Sequence, residues 1–512
     1  MASHRATRWA VLALLLLGLA LHLTGLSARS LNTDEVYIPL RAQIGNLLAA
    51  VVDDVHPPLY PLLLGAFVKL YLPEWSWRLF SVLCWLGAAL TAFAIGRRLG
   101  NDALGLAAMA LLLCSPQGVM LSRLVRSYAL AALLGGLTVW LFLRLREQAT
   151  ASAGLTFALV AAAGCYTFYY NLALLAALLL TTLALRLLES RREPIPLWPT
   201  LLAGVLFLPW LPLLWRQGLG GGAGGWITWS AAPLRILRRF TQVLAAAGGI
   251  DGVEPSIRAV APALAGIGAT LLTLFFLIAG TVVLIRRREN DSALPAVTAL
   301  VVAATALLAL VVHYVFGVFV AVHYFVVLAA ATAPLLVALL VVDRGKLGGL
   351  LFGLLIVANL LFVPQAAKQG DEPLREAAHW IDQHIDDDDV VIGVAWFAAD
   401  GYRWYGRGRE TIGFPVDLYS EENVTRAAAA IARPVDAVVL RTRLGDVDRV
   451  ALLLSHETWR GADRGVELAK RTLQSEGFDP VKENAWPFGE APTVRTEIWQ
   501  RTRPRSPFAP MP

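Results

Sequence analysis

The sequence predicts an α-helical polytopic membrane protein of about eleven transmembrane helices, followed by a small extracytoplasmic α/β domain. Three observations carry this reading. Of 512 residues, 57% are hydrophobic and only 16% are charged, which does not fit a soluble chain of this size. The apolar residues fall in long runs joined by short arginine-rich links. After Gly370 the acidic and polar residues return, with helix and strand spacing.

The first run follows Arg5 and Arg8 and extends from Trp9 to Leu26. Ser27-Ala28-Arg29 could mimic a signal-peptide cleavage site, but the run is long enough to cross ~30 Å of hydrocarbon, so it is read as an uncleaved span. Further spans are expected near 78–96, 103–121, 127–143, 153–170, 172–188, 197–215, 260–285, 294–312, 324–342 and 347–363. With this set, Arg97-Arg98, Arg144 with Arg146, Arg186 with Arg191-Arg192, Arg286-Arg287-Arg288 and Arg344 with Lys346 all share the side of Arg5 and Arg8. The positive-inside rule makes that side cytoplasmic. It places the N-terminus in the cytoplasm. The 34–78 loop, the 122–128 link, the 216–258 loop and everything after Val363 are then external, as in a bacterial inner membrane.

The His56–Leu72 stretch is apolar, but an extra span there would invert every later arginine cluster. It is read as an interfacial helix on the outer leaflet, with Pro57 or Pro58 in its first turn and Asp54 as a possible N-cap. The expected domains are a helical domain over 1–365 with a first external loop near 27–77, an α/β domain over 370–502, and a disordered Pro-rich tail over 503–512. Within the α/β domain, Glu372–Ile385, Asn423–Ile431 and Gly465–Glu476 read as helices. Val390–Val394 and Ala437–Leu440 read as buried strands, and Asp386–Asp389 as a solvated turn.

The chemistry concentrates in the first external loop. Leu31-Asn32-Thr33-Asp34-Glu35-Val36-Tyr37 precedes Asp53-Asp54-Val55-His56-Pro57-Pro58-Leu59-Tyr60. Ionisable groups beside a bilayer are costly and mark function. Asp34 and Glu35 are adjacent and cannot face one way, so one would act on a substrate while the other orients or binds elsewhere. The competing reading is a pair of ordinary loop acids. Asp53 reads as surface.

These residues resemble the GT-C membrane glycosyltransferases, in particular the protein O-mannosyltransferases, the aminoarabinose transferases and their bacterial relatives. The resemblance rests on Asp34-Glu35, on Asp54-x-His56-Pro57-Pro58-Leu59-Tyr60, on Ser122-x-x-x-Arg126-x-Tyr128-Ala129-Leu130 and on Leu208-Pro209-Trp210-Leu211-Pro212. It covers about residues 30–365. It implies a GT-C-like fold and inverting transfer of a monosaccharide from a polyprenyl-phosphate donor to an external hydroxyl. Asp34 would be the general base, Glu35 its catalytic neighbour, and Asp54 with His56 would position the acceptor or support Asp34. Arg126, Arg123, Tyr128 and His323 are the implied donor-phosphate set. Arginine suits that task because its fork matches phosphate oxygens. Arg123 and Arg126 would share a face if their segment is helical; for Arg123 a lipid headgroup contact is the competing reading. Relatives carry Arg-Tyr where this chain has His323-Tyr324, and a histidine cannot form the same fork. Lys69, Arg235, Arg238 or Arg239 could compensate, although the last three also fit a surface amphipathic helix.

Other classes are weaker. The net charge of +6 lies mainly in links between spans, so it explains topology rather than nucleic-acid binding. Cys84, Cys114 and Cys165 fall in spans, which leaves no metal-ligand spacing, and no cofactor is expected. Gly218–Gly225 lacks the Lys-Ser/Thr of a phosphate loop, and Trp226 with Trp229 fits interfacial anchoring as well as sugar stacking. The expected partners are the lipid bilayer, a polyprenyl-phosphate-linked sugar donor and a protein, lipid or cell-wall glycan acceptor. A lipid-glycan transporter or flippase, or a membrane scaffold, is the alternative.

Overall fold

Long apolar runs set the architecture of the first of two units. The computed structural model describes residues 2–26, 28–188, 195–219, 232–287, 293–316, 321–342, 345–368, 372–415, 434–456, 462–488 and 491–503. Met1–Leu26 and Leu48–Ala367 form a helical unit; Ser27–Leu47 and Lys368–Pro512 form a second unit. The segment Ser27–Leu47, expected in the helical domain, therefore belongs with the C-terminal residues.

Among the described residues nine helices are long and apolar enough to cross a membrane, and up to ten if a bent pair counts as one. The expected 103–121 span is that pair, Asp102–Leu113 and Pro116–Ser122, bent by 63°. The break has a local cause: Pro116 has no N–H and disfavours helix at Ser115. Ser115 Oγ accepts from Gly118 N and donates to Asp251, whose other oxygen accepts from Gln117 N at 2.6 Å. Burial pushes the Asp251 carboxyl up to about 6, against the pull of these hydrogen bonds. The expected 153–170 span is the Ala151–Thr167 helix, which at 17 residues falls short of the other spans.

Close helix packing in this unit uses small residues, as membranes favour. A Cβ at Gly135 would lie 2.3 Å from Val327 O, and one at Gly136 would lie 2.8 Å from Ala330 Cβ. Gly135 lets the Tyr128–Glu147 helix approach the 3₁₀ turn Val322–Leu328, which carries His323, and Gly136 lets it approach the helix Ala329–Val341 that follows. The expected interfacial helix is Leu59–Lys69, with Pro58 at its N-cap and no side-chain cap. Asp54 is therefore not its cap. Arg238 and Arg258 both pair with Glu254, at 3.1 and 2.8 Å.

The second unit is built on a five-stranded sheet of order β2-β1-β3-β5-β4. The strands are β1 Val390–Val394, β2 Thr411–Gly413, β3 Arg449–Ser455, β4 Phe478–Phe488 and β5 Ala491–Arg501. β1 is parallel to β2 and β3, whereas β5 is antiparallel to β3 and β4. All of β1 is buried, as expected for a parallel strand covered on both faces. Val390, Ile392, Leu452 and Leu454 pack on one side with Leu440, Leu444 and Leu473. Val391 and Leu453 pack on the other with Leu374, Ala377, Ile381 and Tyr402.

The expected strand Ala437–Leu440 is instead part of the helix Pro434–Leu444. Ala437, Leu440 and Leu444 are fully buried at helical spacing, so the short apolar run belonged to a 3.6 period rather than a 2.0 one. In the Asp386–Asp389 turn Asp386, Asp387 and Asp388 are exposed, as expected, whereas Asp389 is buried and accepts from Asp386 N and Arg449 N. The expected Asn423–Ile431 helix, most of Gly218–Gly225, Trp226, Trp229 and nearly all of the 503–512 tail lie outside the described residues.

Candidate active site

The first-loop acids divide between the two units. In the second unit, Asn32 caps the helix Thr33–Gln43: its side chain accepts from Glu35 N at 2.9 Å, and Glu35 Oε2 accepts from Asn32 N at 3.0 Å. This reciprocal capping box satisfies two donors that the helix itself leaves open. Arg29 adds a charge pair to the same Glu35 oxygen at 3.3 Å, with both side chains buried. Glu35, expected to share the catalysis, is thus occupied in starting the helix. Asp34, next to it, is exposed.

A residue not singled out in the sequence completes this corner. Glu372 is buried, and its Oε2 accepts from Thr33 N at 2.6 Å. Its Oε1 accepts from Ser455 Oγ at 2.7 Å and lies 3.1 Å from His456 Nδ1. Burial alone would raise the Glu372 carboxyl, but the His456 bond and charge, then Ser455 and Thr33, hold it below the usual value. Ser30 donates to the Glu372 carbonyl, and Leu31 N donates to the Tyr405 hydroxyl at 2.7 Å. The available signal was Ser455-His456 directly after the apolar run Leu452-Leu453-Leu454, a polar pair at a strand's carboxyl end.

In the helical unit the structure brings Asp54, His56 and Arg126 together. His56 Nδ1 is 3.0 Å from Asp54 Oδ1, and His56 Nε2 is 3.0 Å from Arg126 Nη2. A guanidinium only donates, so Nε2 accepts and Nδ1 carries the proton given to Asp54. The three side chains form a carboxylate–imidazole–guanidinium chain. Burial pushes the Asp54 carboxyl up, but His56, the charge of Arg126 and the Val55 amide together hold it below the ordinary range.

Arg123 and Arg126 do not share a helical face, because the helix Pro116–Ser122 ends before them. Arg123 is buried and donates to Thr24 O at 2.5 Å. It ties the turn to the end of the Ala2–Leu23 helix. Arg126, half-buried, turns to His56. Tyr128 and His323 do meet: their rings are 5.0 Å apart edge to face, and Tyr324 lies 6.0 Å from Tyr128. Nearby, Tyr169 accepts from Trp210 Nε1 at 2.8 Å and donates to Gln217, whose amide donates to Val51 O and Val52 O. This network anchors the backbone just before Asp54. Among the described residues no cluster of three His, Cys, Asp or Glu side chains is arranged to hold a metal ion.

Known structures share the fold of the chain. ArnT from Cupriavidus metallidurans in the apo state superposes with a TM-score of 0.59 at 12% identity, covering 96% of this chain and 98% of that one. The chain has the GT-C fold. The same ArnT bound to undecaprenyl phosphate gives a TM-score of 0.50 at 13% identity, with the same coverage of both chains. The oligosaccharyltransferase AglB from Archaeoglobus fulgidus, in complex with an inhibitory peptide and a dolichol-phosphate, gives 0.52 at 12% identity, covering 97% of this chain and 74% of that one. Residues 55–215 match the family described as dolichyl-phosphate-mannose-protein mannosyltransferase. That match includes His56, Arg123, Arg126 and Tyr128, and begins after Asp34 and Asp54. No curated protein matches the chain by sequence.

Proposed function

We propose that this GT-C protein is a membrane glycosyltransferase. It moves a monosaccharide, a hexose or a pentose, from a polyprenyl-phosphate donor to an acceptor hydroxyl at the outer face of a bacterial-type inner membrane. The N-terminus is cytoplasmic and the 370–502 domain extracytoplasmic, as the arginine links require. The acceptor is a protein, a lipid or a cell-wall glycan. The donor class is supported by the undecaprenyl phosphate of ArnT and the dolichol-phosphate of AglB.

One observation carries the reading within this fold: Asp34 is exposed in the first turn of a firmly capped helix, while Glu35 beside it is tied down. Asp34 takes the proton of the acceptor hydroxyl. The freed oxygen forms a bond to the anomeric carbon from the side opposite the phosphate. The bond from that carbon to the phosphate oxygen breaks, its electrons stay on the phosphate, and the anomeric centre inverts. Polyprenyl phosphate leaves with an added negative charge that needs a fixed cation. Arg126 is assigned that task, held in orientation by His56 and Asp54. Tyr128 and His323 shape the donor side, where the fork of an arginine is missing. Glu35 serves the helix start rather than the chemistry.

The test uses the full chain in proteoliposomes with radiolabelled polyprenyl-phosphate mannose and its aminoarabinose analogue. Wild type is expected to release polyprenyl phosphate from one of them, and Asp34→Asn is expected to lose this by roughly 10²–10⁴-fold. Unchanged release by Asp34→Asn contradicts the base assignment. Movement of the intact lipid-linked sugar across the bilayer without release means a flippase instead.

A further inference from the structure

The second unit holds a titratable group that the mechanism above does not use. β1 has parallel neighbours on both sides, β2 and β3, so the carboxyl ends of β1 and β3 form a topological switch point. Open α/β sheets place ligand sites in the crevice at such a point. His456 is the first residue beyond β3, and its φ of +55° lies in the left-handed region. A residue other than glycine is strained there and persists where its surroundings over-determine it.

The surroundings of His456 are specific. Its Nδ1 lies 2.8 Å from Ser455 Oγ and 3.1 Å from Glu372 Oε1, and its ring packs edge-on against Phe397 at 5.4 Å. Nδ1 therefore carries a proton toward Glu372, and Nε2 is the ring's second polar atom. The same Glu372 carboxylate accepts the Thr33 amide that precedes Asp34. One buried carboxylate thus fixes both the imidazole and the first turn of the Asp34 helix.

We propose that His456 is a positioning residue for the base: Glu372 holds the imidazole beside Asp34, and the imidazolium supplies the counter-charge that keeps that carboxylate in place for the acceptor hydroxyl. This rests on the reading of Asp34 as the base. The charged groups acting on the ring are Glu372 and Asp34. Burial lowers the imidazole pKa, but the Glu372 bond and charge, with the charge of Asp34, outweigh it and raise the pKa above 6.5. The counter-charge is then full below 6.5 and is lost as pH rises through the higher folded value.

The experiment titrates ring-labelled histidine by NMR in the full chain in nanodiscs, with the His456 signal assigned by its loss in His456→Asn. Asn tolerates the left-handed backbone, so the variant keeps the turn. The His456 midpoint is expected above 6.5 in wild type, lower in Asp34→Asn, and lower still in Glu372→Gln. In the transfer assay, His456→Asn is expected to lower kcat about 10-fold with donor KM unchanged and to remove the loss of activity above pH 6.5. A midpoint that does not move in Asp34→Asn, beside inactive Asp34→Asn protein, overturns the His456 role alone. Normal transfer by Asp34→Asn overturns the base reading and the His456 role with it. The titration needs no substrate, so it decides the coupling whichever sugar is the donor.

Discussion

Two pairs of ionisable residues sit close in sequence in the first loop, yet they live in different physical surroundings. Asp34 and Glu35 belong to the unit built on the sheet, and Asp54 with His56 to the helical unit. In the first pair one carboxylate is exposed and its neighbour is spent on a capping box and Arg29. In the second, the carboxylate is wired through an imidazole to Arg126. The first arrangement keeps one carboxylate at the surface, which is the one proposed as the base. The second fixes a cation. The proposed division of tasks between these neighbouring groups follows from their different hydrogen-bond partners.

Beyond Asp34 itself, the largest expected effect that separates the pairs is at Arg126. Arg126→Ala should lower kcat/KM for the donor about 10²–10³-fold, or ~3–4 kcal/mol, if it meets the leaving phosphate. Steady-state kinetics at varied donor concentration checks this. Removing its orienting partner should cost less: His56→Gln is expected to lose roughly 10-fold. Equal losses would mean that the imidazole itself does chemistry, and the two regions would then not divide the work.

On the sheet side, Glu372→Gln leaves the Thr33 amide and His456 with a weaker partner. A loss of about 2–3 kcal/mol in the stability of that unit is expected from denaturant unfolding followed by its tryptophans. The pH dependence has a definite sign. Glu372 has a lowered folded pKa, so its contribution is present above 4.5 and is lost as pH falls. His456 has a raised one, so its contribution is full below 6.5 and is lost as pH rises. Wild-type stability should therefore peak between these values, and Glu372→Gln should flatten the profile. The smallest effect on transfer is at Glu35: Glu35→Gln retains a capping partner and should leave the rate near normal, although removing the charge opposite buried Arg29 should cost about 3 kcal/mol in stability.

Much of this was legible in the sequence. Long apolar runs with arginine links marked the helices because bilayer thickness fixes their length. β1 was legible as a short β-branched run. The bend at Ser115-Pro116 was only partly legible: Pro116 is a local break, but the Asp251 that holds the turn reaches in from a distant turn. The run Ala437–Leu440 misled because four apolar residues fit either period, and burial decided for helix. Arg126 and Tyr128 stood out by motif, but their partners, His56 and His323, are set by tertiary contact. Glu372 and His456 carried no local signal strong enough to connect residues more than 300 positions from Asp34.

The central claim is that Asp34 and Glu35 have separate roles, and a side-by-side rate measurement tests it most directly. Asp34→Asn and Glu35→Gln are reconstituted in the same proteoliposomes and assayed at saturating donor. The expected result is a loss of roughly 10²–10⁴-fold for Asp34→Asn and near-normal transfer by folded Glu35→Gln. Near-normal transfer by Asp34→Asn beside inactive, folded Glu35→Gln would contradict the account.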